Sequence, residues 1–299
     1  MLSISQEINR QMPESIRTVL TSNYCTNHGT DDEGNLIRVQ MMDLSKFGGT
    51  EVCPTCELEK ENEVYAQKVG NRVKTLEMNK RKNTLHYKSV FADETIRDAG
   101  FKNYETKTTE EKEKKSDAFK AVKHYESGKT FTLLFQGDTG VGKSHLAMAV
   151  LRNLNETIQD VECIFINVRK MLMMIKDSFN DNESPYTQMY FIDLLSRVDY
   201  LVLDDLGNET PDTKPKFINK ELESDNRPTA TKFVLEVLTE ALEARQNKST
   251  IVTTNSTRNE LEKKYSKALI SRLLKGAAVI KFKDTTDKRI KPFDLNQEI

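Results

Sequence analysis

After Gly128 the chain alternates short apolar runs with longer stretches in which apolar residues recur every three or four positions. Residues 130–135, 163–166, 200–203, 250–253 and 278–282 read as strands. The stretches near 143–157, 168–180, 187–197, 231–247 and 258–275 read as helices. Apolar runs covered on both faces and separated by helices predict an α/β fold with a five-stranded, mostly parallel sheet. The first 128 residues lack this rhythm. Residues 58–88 are rich in Glu, Lys and Asn, with apolar positions at Val64, Val69, Val73, Leu76 and Leu85, which fits a solvated helix or linker. Residues 106–115 open a second polar helix running toward Tyr125.

One strand-to-helix junction carries chemistry. Gly137-Asp138-Thr139-Gly140-Val141-Gly142-Lys143-Ser144 satisfies the P-loop pattern G-x-x-x-x-G-K-S/T, follows a predicted strand and enters a predicted helix. Glycines let backbone N–H groups turn toward a phosphate, and a helix start adds favourable potential for an anion. Lys143 is then expected to reach the β- and γ-phosphates of ATP, and Ser144 to ligate Mg²⁺. The strand Tyr200-Leu201-Val202-Leu203 ends in Asp204-Asp205. Strand ends in such sheets face the ligand crevice, so Asp204 is expected to hold Mg²⁺ through water and Asp205 to orient or deprotonate the attacking water.

A third strand ends Thr253-Thr254-Asn255. With the P-loop and the Asp pair, this order resembles the AAA+ ATPases. The resemblance gives Asn255 the sensor-1 role at the γ-phosphate; a loop asparagine capping the helix that starts near Thr257 is the competing reading. Ser271-Arg272-Leu273 looks like the segment that supplies an arginine finger to a neighbouring subunit, against the reading of Arg272 as a surface helix residue. Arg289 is a candidate sensor-2-like contact, and Arg245 a second inter-subunit arginine.

The four cysteines are unevenly placed. Cys163 lies in an apolar run and is expected to be a core residue. Cys25-x-x-His28 and Cys53-Pro54-Thr55-Cys56 are two ligand pairs separated by 24 residues. Two such knuckles complete a tetrahedron around one Zn²⁺, predicting a small N-terminal zinc-ribbon-like domain. Redox use of Cys53 and Cys56, or unliganded thiols, are the alternatives.

Over residues 90–299 the motifs together resemble bacterial replicative helicase loaders of the DnaC/DnaI type, and the cysteine-bearing N-terminus extends the likeness toward DnaI. The run Leu203-Asp204-Asp205-Leu206-Gly207-Asn208-Glu209 belongs to it, while the long Pro-bearing stretch 208–228 departs from it. Only 27 residues follow Arg272, so no helical lid is expected. The resemblance implies an ATPase, with ATP, Mg²⁺ and Zn²⁺ as cofactors and the site completed between subunits by self-association. It implies a hexameric replicative helicase and single-stranded DNA as partners, within DNA replication. The organisation expected is a helicase-docking zinc domain over 1–57, a polar helical linker over 58–89 and an ATPase domain over 90–299. A transposase-helper ATPase of the insertion-sequence type and a nucleotide-sensing zinc adaptor without turnover are the alternatives.

Length and charge refine this picture in two places. At 299 residues the chain is long enough for about two domains. Its net charge of −1 conceals a C-terminal stretch, 258–293, that carries +7, which supports a polyanion-facing surface. The longest apolar run is the six residues 146–151, against ~20 for a membrane span, and residues 1–7 show no basic and apolar leader. A cytoplasmic protein, bacterial or phage-encoded, is therefore expected, with no membrane partner.

Overall fold

The computed structural model describes residues 19–44, 49–181, 183–208, 231–245 and 247–289. Most of the 208–228 stretch, and Lys291 of the basic stretch, lie outside them. Two compact units divide the chain, Met1–Glu77 and Met78–Ile299.

In the first unit, β1 (Val19–Cys25), β2 (Val39–Asp43) and β3 (Glu51–Val52) form an antiparallel sheet in that order. Cys25 pairs with Val39, and the ladder is irregular between Leu20 and Tyr24. α1 (Pro54–Lys82) starts with Pro at its first position, where the missing N–H costs nothing. No side chain of α1 is buried; Leu58, Tyr65, Val69 and Leu76 are exposed, as the polar composition predicts. Among the described residues of this unit, Cys53 is the one buried apolar side chain. Apolar burial among the described residues therefore contributes little to the unit's stability.

The second unit holds a five-stranded sheet in the order β5 (Cys163–Asn167), β6 (Tyr200–Asp204), β7 (Ser249–Thr254), β4 (Thr132–Gln136) and β8 (Ala278–Lys281). All four ladders are parallel. Alternate residues serve opposite faces, as strand geometry requires. Leu134, Ile164, Ile166, Leu201, Leu203 and Val252 pack against α5 (Val168–Ser178), α6 (Gln188–Arg197) and α7 (Lys232–Glu243). Leu133, Phe135, Cys163, Phe165, Val202 and Ile251 face α3 (Thr109–Glu126) and α4 (Lys143–Thr157). Cys163 is fully buried, as expected. The short α2 (Thr84–Tyr87) follows α1.

Two expectations need correcting. The single helix anticipated over 258–275 is two, α8 (Arg258–Lys264) and α9 (Lys267–Leu273). Ser266 interrupts it by capping α9, its hydroxyl accepting from the Leu269 N–H at 3.2 Å. Arg245 is not an inter-subunit arginine. It is 3% exposed, and its guanidinium donates to the carbonyls of Leu195, Val198 at 2.7 Å, Asp199 at 3.3 Å and Ser249 at 2.8 Å. Burial pulls its pKa down to about 10. The carbonyls left by the end of α6, the turn into β6 and the start of β7 need a donor with this many N–H groups, and that need occupies the side chain.

Candidate functional site

The P-loop joins β4 to α4 at the carboxyl edge of the sheet. Gly142 is the N-cap of α4, with φ +93° and no side-chain cap, so the first-turn N–H groups are open to an anion. A Cβ there would lie 2.8 Å from the Tyr104 ring, and one at Gly140 (φ +81°) would fall inside the Asp287 carboxylate. Both positions combine a left-handed backbone with close packing, so only glycine serves.

Lys143 donates to the carbonyls of Gly137 at 2.9 Å and Asp138 at 2.6 Å and to Asn255 Oδ1 at 2.6 Å. The Asn255 amide donates in turn to the Thr139 hydroxyl at 3.1 Å. Asn255 thus joins the P-loop; the cap of α8 is Thr257, in a capping box with Glu260. Burial pulls the Lys143 ammonium down to about 8, and the carboxylates of Asp205 and Asp204 oppose that pull.

Asp204 ends β6 and is buried, which raises its pKa. Hydrogen bonds from the side chains of Ser144, Thr253 (2.8 Å) and Asn167 (3.3 Å) act the other way. Ser144 and Asp204 are therefore in contact, which suits a shared divalent ion: a hard cation takes hydroxyl and carboxylate oxygens, and would offset the cost of the buried charge. Asp205 stands at φ +63°, uncommon outside glycine but tolerated by Asp. Its N–H donates to Thr253 Oγ1 at 2.8 Å, and its carboxylate accepts from the Asn208 amide at 2.5 Å.

These groups line a cleft of about 720 Å³, bounded also by Asp93, Tyr104 and Arg289. Arg289 is close enough for its charge to act on Lys143. Arg272 does not join the cleft. It pairs with Glu243, and the adjacent Leu273 carbonyl accepts from the hydroxyl of Thr132, at the opposite end of β4 from the P-loop. Any contact of Arg272 with nucleotide must therefore be made in another subunit. Asn167 and Thr253, which orient Asp204, were not singled out from sequence. Their position at parallel strand ends is the signal that could have found them.

In the first unit, β1 delivers Cys25, the following turn delivers His28, the junction of β3 and α1 delivers Cys53, and the first turn of α1 delivers Cys56. Their ligand atoms all lie within 4.8 Å of one another. Cys25 and Cys56 sulfurs are 3.8 Å apart, and His28 Nε2 stands 3.1 Å from the Cys53 sulfur and 3.6 Å from that of Cys56. Tetrahedral ligands at ~2.3 Å from a zinc ion are separated by roughly 3.8 Å, so the set fits Zn²⁺ with no open position.

A parallel five-stranded sheet in this order, with a P-loop on the strand next to one edge and paired carboxylates two strands away, is the fold of AAA+ P-loop NTPases. No family model matches the chain. It is 25% identical over 171 residues to the replicative helicase loader DnaC of Escherichia coli K12, covering 54% of this chain and 68% of that protein. The crystal structure of the DnaC helicase loader superposes with a TM-score of 0.50 at 20% identity, over 64% of this chain and all of that one. The crystal structure of DnaI gives 0.48 at 21% identity, over 64% of this chain and 95% of that one. The likeness to replicative helicase loader DnaC that the motifs imply is thus present in sequence, and the fold of the DnaC structure is shared.

Proposed function

We propose that this chain is an ATP-dependent loader of a replicative DNA helicase in the bacterial cytoplasm. The observation that carries the reading is a complete P-loop site in a chain similar to replicative helicase loader DnaC. ATP enters the cleft with its phosphates along Gly137, Asp138, Thr139, Gly140, Val141 and Gly142. Lys143 exchanges its carbonyl partners for the β- and γ-phosphate oxygens. Ser144 and Asp204 would hold Mg²⁺, which would supply charge neutralisation at those oxygens. Asp205 orients the attacking water and accepts its proton as the γ-phosphorus–oxygen bond to ADP breaks. Asn255 and Arg289 contact the γ-phosphate, and a neighbouring subunit's copy of residue 272 completes the site upon self-association. The zinc unit docks the hexameric helicase, and the basic stretch 258–293 contacts single-stranded DNA.

Capture of a hexameric replicative helicase by the full chain, with and without ATP and with residues 1–57 removed, tests this function. ATP-sensitive capture that is lost on the deletion is expected; no capture under any condition refutes it.

Lys143 makes binding pH-dependent. Phosphate binding favours its ammonium form, so the bound site retains a proton that the free site loses above about 8. Affinity for MgATP should be flat below that pH and fall by up to about tenfold per unit above it. Titration calorimetry in two buffers should register proton uptake at pH 9 and none at pH 7. Arg272→Ala should leave ATP binding unchanged, because the residue is outside its own cleft, and lower assembly-stimulated hydrolysis by ~10³-fold or more. Equal loss of binding and turnover would contradict the assignment.

A further inference from the structure

The chain does not leave the ATPase unit after β8. Phe282 N–H donates to the Gln136 carbonyl at 2.8 Å, and the next residues are fastened by two consecutive glutamates at the start of α3. Glu110 accepts from the N–H groups of Lys283 (2.8 Å) and Asp284 (3.0 Å) and from the Thr285 hydroxyl (2.6 Å). Glu111, 4% exposed, takes Lys288 Nζ at 3.1 Å. That ammonium also donates to the Glu105 carbonyl at 2.7 Å and sits 3.9 Å from the centre of the Tyr104 ring. Carboxylate, carbonyl and aromatic face together saturate it.

The same residue holds the P-loop. Lys288 N–H donates to the Gly140 carbonyl at 3.0 Å. Its aromatic partner Tyr104 packs on Gly142 and donates to the Val141 carbonyl at 3.5 Å. Asp287 covers Gly140 and accepts from the Arg289 N–H at 2.9 Å. The carbonyls of Gly140 and Val141 are thereby engaged by Lys288 and Tyr104, which also line the cleft, and this fixes the curve of the turn. Arg289, one residue on, is held at the cleft wall.

We propose that Lys288, held by Glu111, Glu105 and Tyr104, is a positioning residue that keeps the P-loop turn in its anion-accepting curve and presents Arg289 to the phosphates. The second half of this proposal rests on the nucleotide reading; the first does not. It implies that the C-terminal segment is a wall of the nucleotide site, coupled through α3 to the P-loop.

The test pairs two measurements on the full chain. In the absence of nucleotide, Lys288→Ala should speed amide hydrogen exchange at residues 146 and 288, whose N–H groups are held by the Gly142 and Gly140 carbonyls, by about tenfold while the sheet keeps its protection. MgATP affinity should fall by about tenfold in Lys288→Ala, and Lys288→Arg should restore most of it. The double variant Lys288→Ala/Arg289→Ala should be no weaker than the poorer single variant, since one residue acts through the other. If Lys288→Ala does not fold, Glu111→Gln removes the same ion pair and should give the same two changes. Unchanged exchange at 146 and 288 overturns the proposal, and additive losses overturn the coupling to Arg289. Faster exchange in Lys288→Ala, together with a wild-type chain that binds no ATP, refutes the nucleotide reading alone and leaves the positioning of the turn standing.

Discussion

Lys143→Ala is expected to abolish nucleotide binding without unfolding the ATPase unit. The ammonium is the one cation in the P-loop, is 7% exposed, and is held only by two loop carbonyls and Asn255. These are partners it can exchange for phosphate oxygens at little geometric cost. Removing a buried charge from a phosphate costs ~3–5 kcal/mol, or a few-hundred-fold or more in affinity. The same burial penalises the charge in the free protein, as its lowered pKa shows, so truncation should leave the melting temperature within a few degrees of wild type. Calorimetry with MgATP and thermal melting of the same sample separate the two effects. Binding retained within tenfold would refute the P-loop assignment.

Zinc removal should have the largest structural effect, and a local one. The described residues of the first unit bury one apolar side chain, Cys53, itself a candidate ligand, so no core remains to order the sheet once the four ligands are released. Structural zinc contributes ~10–16 kcal/mol in small metal-dependent domains, far more than one buried side chain can supply. Chelation, or Cys53→Ser, should therefore collapse the dispersed amide signals of residues 19–52, while the ATPase unit keeps its own melting transition. One zinc per chain is expected on freshly reduced protein. A metal assay that returns none would sink the assignment.

The two sites differ in how they were legible. The P-loop is a contiguous motif whose spacing is its geometry, because consecutive residues must curve around one phosphate. The Asp pair was legible because a parallel strand buried on both faces announces its own end. The zinc ligands were legible as two local pairs, since a knuckle needs only two intervening residues. Helix boundaries were less so: Ser266 reads as an ordinary polar residue inside a helical pattern until its hydroxyl is found capping Leu269. Arg245 reads as a charged residue near a strand, and only the arrangement of four surrounding carbonyls makes it an internal donor.

What the amino-acid order determined by itself is therefore what neighbours in the chain form together: the P-loop turn, the carboxylates at a strand end, the two local Cys/His pairs and the alternating pattern that requires a parallel sheet. The tertiary structure decided what distant residues do to one another. It joined Asn255 to Lys143 across 112 positions, set Asn167 and Thr253 around Asp204, and brought Lys288 back onto Gly140. The physical reason is range. Backbone curvature and hydrophobic period act within a few residues and leave a mark in sequence. Hydrogen bonds and burial act within a few ångströms of space, whatever the separation along the chain.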